Sequence, residues 1–285
     1  MELRLRPQLP VSGNRHLIAL LILDPDSDRK ALQAIGLSFP PDVLEGLQGK
    51  SRLIPFAGML FWVSQPGKTD AEAVRRQIHK AWKVAEENGM EEMTLWQRHP
   101  SAKAGDWVRQ CAEVLELSRY RFTPYLKEKP EPVLQKVWLF AADNKPHNRA
   151  LLEGQSIGKA TCIARDLVNE PANTLTAVEM GNRISELGQI HGFGVEVWEK
   201  AKIASLKMGG ILAVNQGSFT PPTFSIMTHC PKGLEKTRPI VLVGKGIVYD
   251  TGGLSLKPTP NSMDFMKSDM AGAAAVIGTM CALAR

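Results

Sequence analysis

The sequence predicts an α/β protein in two parts, an N-terminal α/β domain and a second α/β segment in which the chemistry is concentrated. Three observations carry that expectation. Short apolar runs of strand length alternate with amphipathic helical patterns along most of the chain. A proline- and charge-rich tract interrupts the alternation near residue 130, and a glycine-rich stretch beyond it reads as strand end, loop and helix. At 285 residues the chain can bury two cores, and its 44% hydrophobic and 22% charged content excludes a disordered or collagen-like polymer.

Taken in order, His16 to Leu23 (HLIALLIL) and Leu60 to Ser64 (LFWVS) read as strands, and a helix is expected from about Asp70 to Asn88. That helix puts Val74, Ile78, Ala81 and Ala85 on one side at helical spacing, an amphipathic cover for a sheet. The tract Thr123 to Pro132 (TPYLKEKPEP) removes backbone donors and adds charge, so the domain boundary is expected there. The division is residues 1–130 as the N-terminal domain, 131–146 as linker and first strand, and 147–285 as the second domain. Lys136 to Ala141 reads as that strand, and a long helix follows from about Arg149 to Val168, with Ala160, Ile163, Ala164 and Leu167 on its buried face and Pro171 closing it. Thr176 and Glu179 fit a capping box at the next helix start. Strand-like runs at Gly194 to Trp198, Ile211 to Val214, Thr223 to Thr228 and Pro239 to Val243 complete the alternation.

The net charge of +6 is spread thinly, +4 over residues 1–150 and +2 over 151–285, so no clustered positive footprint marks a nucleic-acid binder. Cys111, Cys162, Cys230 and Cys281 lie far apart without a CxxC pair or nearby histidine pairs, and read as buried free thiols. Arg4 and Arg6 are followed by Pro7 and Pro10 instead of a long apolar core, so no signal peptide is read. The longest apolar stretch, Met270 to Ala284, is too short and too rich in small residues for a membrane span. A cytoplasmic location is the default expectation.

The informative stretch is Val243 to Val276 (VGKGIVYDTGGLSLKPTPNSMDFMKSDMAGAAAV). It follows an apolar strand-like run, and ligands of open α/β sheets bind beyond the carboxyl ends of strands. Gly244, Gly246, Gly252 and Gly253 let the backbone bend and approach a bound group. Lys245, Asp250, Lys257 and Asp269 are awkward in a buried segment unless they bind something. A phosphate loop is set aside because the GxxxxGK[ST] pattern is absent. Lys245 and Asp250 as a plain ion pair is the bland alternative, and for an arbitrary sequence the better one.

The stretch resembles the first signature of the leucyl aminopeptidase (M17) family in glycine placement, in the Lys245 to Asp250 spacing and in Lys257. Upstream, Arg165 to Thr176 (RDLVNEPANTLT) and Met208 to Pro222 (MGGILAVNQGSFTPP) resemble the same family's catalytic domain, so the likeness covers about residues 145 to 285. The resemblance implies an N-terminal α/β domain followed by the first part of a two-metal aminopeptidase catalytic domain. It implies that Lys245, Asp250 and Asp269 ligate one divalent ion and that Asp250 bridges to a second. Lys257 would stay cationic and stabilise negative charge on the scissile carbonyl oxygen, while Met266 would wall the pocket for the first side chain or serve as plain core. The implied reaction is metal-assisted hydrolysis of peptides with a free N-terminus, one residue at a time. An oxygen and nitrogen site without thiolates suits zinc or manganese and leaves magnesium and cobalt open. A homohexamer is implied by the same likeness, with nucleic acid an unlikely partner and no membrane.

Two departures from the family pattern stand out. Between Lys257 and Asp269 the chain carries one residue more than the usual spacing, within Pro258 to Met263 (PTPNSM). The family's second signature, an NTDAEGR-like run supplying an aspartate, a glutamate and an arginine, does not occur in these 285 residues. The expectation is therefore a C-terminally truncated and impaired aminopeptidase, with a non-catalytic binding or regulatory protein of the same fold as the alternative.

Overall fold

The computed structural model describes residues 1–9, 15–68, 70–98 and 104–284. Their contacts gather into two units, Met1–Gly158 and Lys159–Arg285.

The first unit runs β1 (Glu2–Arg6), β2 (His16–Leu21), α1 (Pro25–Ala34), α2 (Pro41–Leu44), β3 (Ser51–Phe56), β4 (Met59–Ser64), α3 (Ala71–Glu87), β5 (Glu92–Gln97), α4 (Ala104–Ser118), β6 (Lys136–Phe140) and the first part of α5 (Lys145–Asn169). Its sheet has the order β1-β6-β5-β2-β4-β3. Every junction is parallel except that of β3 with β4. That hairpin turns through Ala57 and Gly58 at φ of 49° and 75°, the pair of positive values that a two-residue turn needs to match the strand twist. β2 lies mid-sheet with all six residues buried, which is why its sequence is a continuous apolar run and not an alternation. Leu17, Ala19 and Leu21 pack with Val74, Ile78, Ala81 and Ala85 of α3 on one face. Ile18, Leu20 and Ile22 pack with Leu32, Phe39 and Leu44 on the other. Helix α3 begins where the sequence places it, with the Asp70 side chain accepting from the Ala73 amide at 2.8 Å.

Where α4 and α5 cross, Gly154 and Gly158 allow contact closer than any side chain would. A β-carbon on Gly154 would stand 2.2 Å from the Arg109 carbonyl oxygen, and one on Gly158 would stand 2.5 Å from the Glu116 Cβ.

The second unit comprises the end of α5, then α6 (Ala177–His191), β7 (Gly194–Trp198), α7 (Lys200–Ser205), α8 (Gly209–Asn215), β8 (Phe224–Thr228) and α9 (Ala271–Leu283). β7 and β8 form an antiparallel pair. Ala160, Leu167, Met180, Ile184, Ala274, Ile277 and Cys281 make a common core of α5, α6 and α9. Helix α6 is capped at its start by the Thr176 hydroxyl, which accepts from the Glu179 amide at 3.2 Å. It ends on left-handed Gly192.

Several expectations are corrected. The strand at residues 136–140 pairs with both β1 and β5 inside the first unit's sheet, and the division by contacts falls within α5 instead of near residue 130. Ile211 to Val214 lies in helix α8; its four apolar residues are too few for periodicity to separate helix from strand. Pro239 to Val243 takes no strand partner among the described residues, and Ile240 and Val243 are each 90% exposed. β-Propensity alone does not make a strand, because its amide and carbonyl groups require a neighbour. Cys111 and Cys281 are buried, but Cys162 is half-buried and Cys230 is exposed. No helix among the described residues is long and apolar enough to cross a membrane.

Candidate functional site

The glycine-rich stretch lies wholly in the second unit, on the N-terminal end of α9. Gly244 is pressed against that end so closely that a β-carbon there would fall 2.6 Å from the Ala273 Cα and 2.7 Å from the Gly272 oxygen. From Gly272 the reciprocal β-carbon would be 3.0 Å from the Lys245 nitrogen. The Lys245 carbonyl accepts from the Ala273 amide at 2.9 Å, which satisfies one of the donors a helix start leaves free. Lys245 is thus held beside Asp269, two residues before the helix.

The backbone then folds back on itself. Gly252 and Gly253 take φ of 86° and 68°, and Lys257 donates its amide to the Thr251 carbonyl at 2.9 Å. A β-carbon on Gly252 would meet the Ser255 oxygen at 2.4 Å, so glycine is required there for space as well as for conformation. This turn brings Lys257 to Asp250. After it, Met263–Ser268 forms a short 3-10 helix that leads to Asp269.

Two lysine–aspartate pairs result. Lys245 Nζ lies 2.8 Å from Asp269 Oδ1 and 2.7 Å from Oδ2. Lys257 Nζ donates to Asp250 Oδ2 at 2.8 Å and lies 2.9 Å from the Met266 sulfur. The Lys257 ammonium, together with the Gly252 amide on Oδ1, holds the Asp250 carboxyl below the usual carboxylate range, and the charge of Lys245 adds to the effect. All five residues singled out in the sequence are therefore in one neighbourhood: Lys245 with Asp269, and Lys257 with Asp250 and Met266. The plain Lys245–Asp250 ion pair is not formed, since each takes a different partner.

A divalent ion is implied by the family likeness, and its fit can be tested on these atoms. Asp269 Oδ2 is a buried oxygen with no hydrogen bond; its charge is met by the Lys245 ammonium as an ion pair at 2.7 Å. Two carboxylates with an amine form a hard donor set for a divalent ion. With both lysines charged the cluster is neutral, so ion binding has to release the Lys245 proton. Among the described residues there is no group of three or more His, Cys, Asp or Glu side chains able to hold a metal. The donor types present are those that suit a divalent ion, and two carboxylates carry too little negative charge to balance two such ions.

Sequence reasoning missed the groups that hold the loop. Tyr249 donates its hydroxyl to the Met263 carbonyl at 3.1 Å. Lys267 donates to the carbonyls of Asn169 and Val168 at 2.7 and 3.3 Å. Lys267 is a cation standing between Met266 and Asp269, two residues already singled out, which is the signal that could have drawn attention to it.

Comparison with known proteins gives a consistent result. Residues 162–285 match the model of the cytosol aminopeptidase family, catalytic domain. A probable cytosol aminopeptidase of Desulfovibrio desulfuricans is 37% identical over 228 residues, covering 76% of this chain and 45% of that protein. Among solved structures, the bottromycin maturation enzyme BotP in complex with Mn superposes with a TM-score of 0.72 at 29% identity, covering 96% of this chain and 56% of the other. A mutant of tomato leucine aminopeptidase shares the fold, with a TM-score of 0.81 at 18% identity over all of this chain and 59% of the other. The chain spans between 26% and 45% of the length of the first curated relatives it matches.

Proposed function

Because residues 162–285 belong to the cytosol aminopeptidase family, we propose that this protein's function is the metal-assisted removal of N-terminal amino acids from peptides. The observation that carries this reading is the pair of lysine–aspartate contacts, Lys245 with Asp269 and Lys257 with Asp250, together with an Asp269 oxygen that has no hydrogen bond. Lys245, Asp250 and Asp269 would hold the divalent ion, and Asp250 would offer its second oxygen toward another. When bound, such ions supply Lewis acidity and a more acidic water.

The chain's own groups account for the rest of the proposal. Lys257 keeps its ammonium between Asp250 and Met266, where it can stabilise negative charge developing on the scissile carbonyl oxygen. The Met266 side chain beside that ammonium would form a wall of the pocket for the substrate's first side chain. Holding the substrate's free α-amine near the carboxylates would confine cleavage to the first peptide bond. The ions would be zinc or manganese, with magnesium or cobalt compatible with the same donors. A cytoplasmic location and a homohexameric assembly are part of the same reading.

The polypeptide of residues 1–285 is expected to be impaired on its own. Two ions bring four positive charges, whereas Asp250 and Asp269 supply two negative ones, and the second signature's aspartate and glutamate are not among these residues. The test compares 1–285 with a form extended by the corresponding segment of a relative, on leucyl-p-nitroanilide with zinc or manganese. Turnover should appear in the extended form and vanish with Asp250→Ala. An extended, folded form that binds the ion but hydrolyses no aminoacyl substrate would instead favour the non-catalytic alternative.

A further inference from the structure

The 3-10 turn Met263–Ser268 is the segment whose preceding loop is one residue longer than the family pattern, and yet it delivers Met266 and Asp269 to their lysines. In a 3-10 turn, side chains three apart eclipse one another. Asp269 caps the segment with its amide on the Met266 carbonyl at 3.2 Å, so it follows Met266 on one face, and the residue after Met266 leaves in another direction. That residue is Lys267, whose Nζ reaches the end of α5 and donates to the carbonyls of Asn169 and Val168 at 2.7 and 3.3 Å.

The end of α5 is a natural receptor for this ammonium. A helix leaves its final carbonyls without amide partners and carries a partial negative charge there. The last turn of α5 contains no basic residue of its own, so the cation comes from about a hundred residues further along the chain. Other hydrogen bonds to the turn and to Asp269 come from the glycine-rich loop, through Tyr249, Lys257 and Lys245. Lys267 instead ties the turn to a 25-residue helix, a far stiffer support than a loop.

We infer that Lys267 is a positioning residue for the ion site: by seating the 3-10 turn on the carbonyl end of α5, it holds Asp269 against Lys245 and Met266 against Lys257. The inference rests on the metal role proposed above for Asp269. Lys267 itself touches neither carboxylate in the contacts described. Its effect passes through the turn, which makes ion affinity the property it controls.

The experiment is calorimetric titration of Mn²⁺ into the 1–285 polypeptide and into Lys267→Met, Lys267→Arg and Asp269→Asn. Folding of each is checked by circular dichroism and by the melting temperature without metal. Methionine keeps the length and apolar stem of lysine while removing its donors, and should weaken Mn²⁺ binding tenfold or more, the scale for losing a group that orients a ligand. Arginine can still donate to both carbonyls and should stay within about threefold of the parent. If Lys267→Met binds Mn²⁺ as tightly as the parent while Asp269→Asn has lost it, the positioning role is overturned and the metal site stands. If Asp269→Asn binds like the parent, the metal assignment fails and the inference fails with it. Should Lys267→Met not fold, Lys267→Arg decides: a folded arginine variant more than tenfold weaker than the parent overturns the inference.

Discussion

Replacing Gly244 by alanine tests how the site is built, and Gly246 provides an internal control two residues away. The added methyl at Gly244 would stand 2.6 Å from the Ala273 Cα, 2.7 Å from the Gly272 oxygen and 2.8 Å from the Ala273 nitrogen, all backbone atoms of the α9 start. To regain ordinary contact at 3.4 Å the two segments must separate by about 0.8 Å. That displacement stretches the 2.9 Å bond from the Ala273 amide to the Lys245 carbonyl out of hydrogen-bond range, a loss of about 1 kcal/mol. Overpacking adds roughly 1–3 kcal/mol, so the second unit should lose about 2–4 kcal/mol. The same shift moves Lys245 from Asp269 by several times the roughly 0.2 Å that metal ligation tolerates, and Mn²⁺ affinity should fall at least tenfold. At Gly246 the nearest atom to an added methyl is the Ala273 Cβ at 3.6 Å, and the alanine variant should lie within about 1 kcal/mol of the parent. Urea unfolding and Mn²⁺ calorimetry on both variants decide the matter. Equal stability and equal affinity for the two alanine variants would refute the claim that the Gly244 contact with α9 sets the position of Lys245.

Two further outcomes concern the first unit. His16 is buried, pairs with Thr94 at 2.8 Å, and burial lowers its pKa from 6.5 to about 4. Above pH 6.5 the ring is neutral in both folded and unfolded chains; between 6.5 and 4 only the unfolded chain takes up the proton, so stability falls as the pH drops through that window and levels off below it. The undiluted shift is about 3 kcal/mol, and partial solvent access brings the expected loss to about 2 kcal/mol. Urea melts at pH 7 and pH 4 should show that loss in the parent and a smaller one in His16→Asn; equal losses would contradict it. At the α4–α5 crossing, Gly154→Ala would place a methyl 2.2 Å from the Arg109 carbonyl oxygen and should cost at least about 2 kcal/mol. An unchanged urea midpoint would show that the two helices part without penalty.

Much of the fold was legible because its signals were local. Asp70 and Thr176 cap helices where hydroxyl or carboxylate acceptors precede apolar periodicity, and β2 declares its burial through an unbroken apolar run. What could not be read depends on partners distant in sequence. β6 joins β1 and β5 across about 130 and 40 residues, a pairing that no local pattern announces, so the proline tract before it passed for a boundary. Pro239 to Val243 has the composition of a strand, yet takes no neighbour among the described residues. The residues of the site were named by resemblance, while their pairing was not. Within the neighbourhood of Lys245, Asp250 and Asp269 the contacts form two lysine–aspartate couples, because each ammonium neutralises the carboxylate that the fold brings nearest. Lys267 and Gly272 were passed over because one works through backbone carbonyls and the other by having no side chain.

The most direct test of the account is the location of manganese by anomalous scattering in crystals of the 1–285 polypeptide soaked with Mn²⁺. The account predicts a peak within about 2.0–2.3 Å of Lys245 Nζ and of carboxylate oxygens of Asp250 and Asp269, with Lys257 moved off Asp250 or sharing it. A peak at other side chains, or none at an Mn²⁺ concentration that saturates binding in solution, would contradict the assignment of these three residues as the metal site.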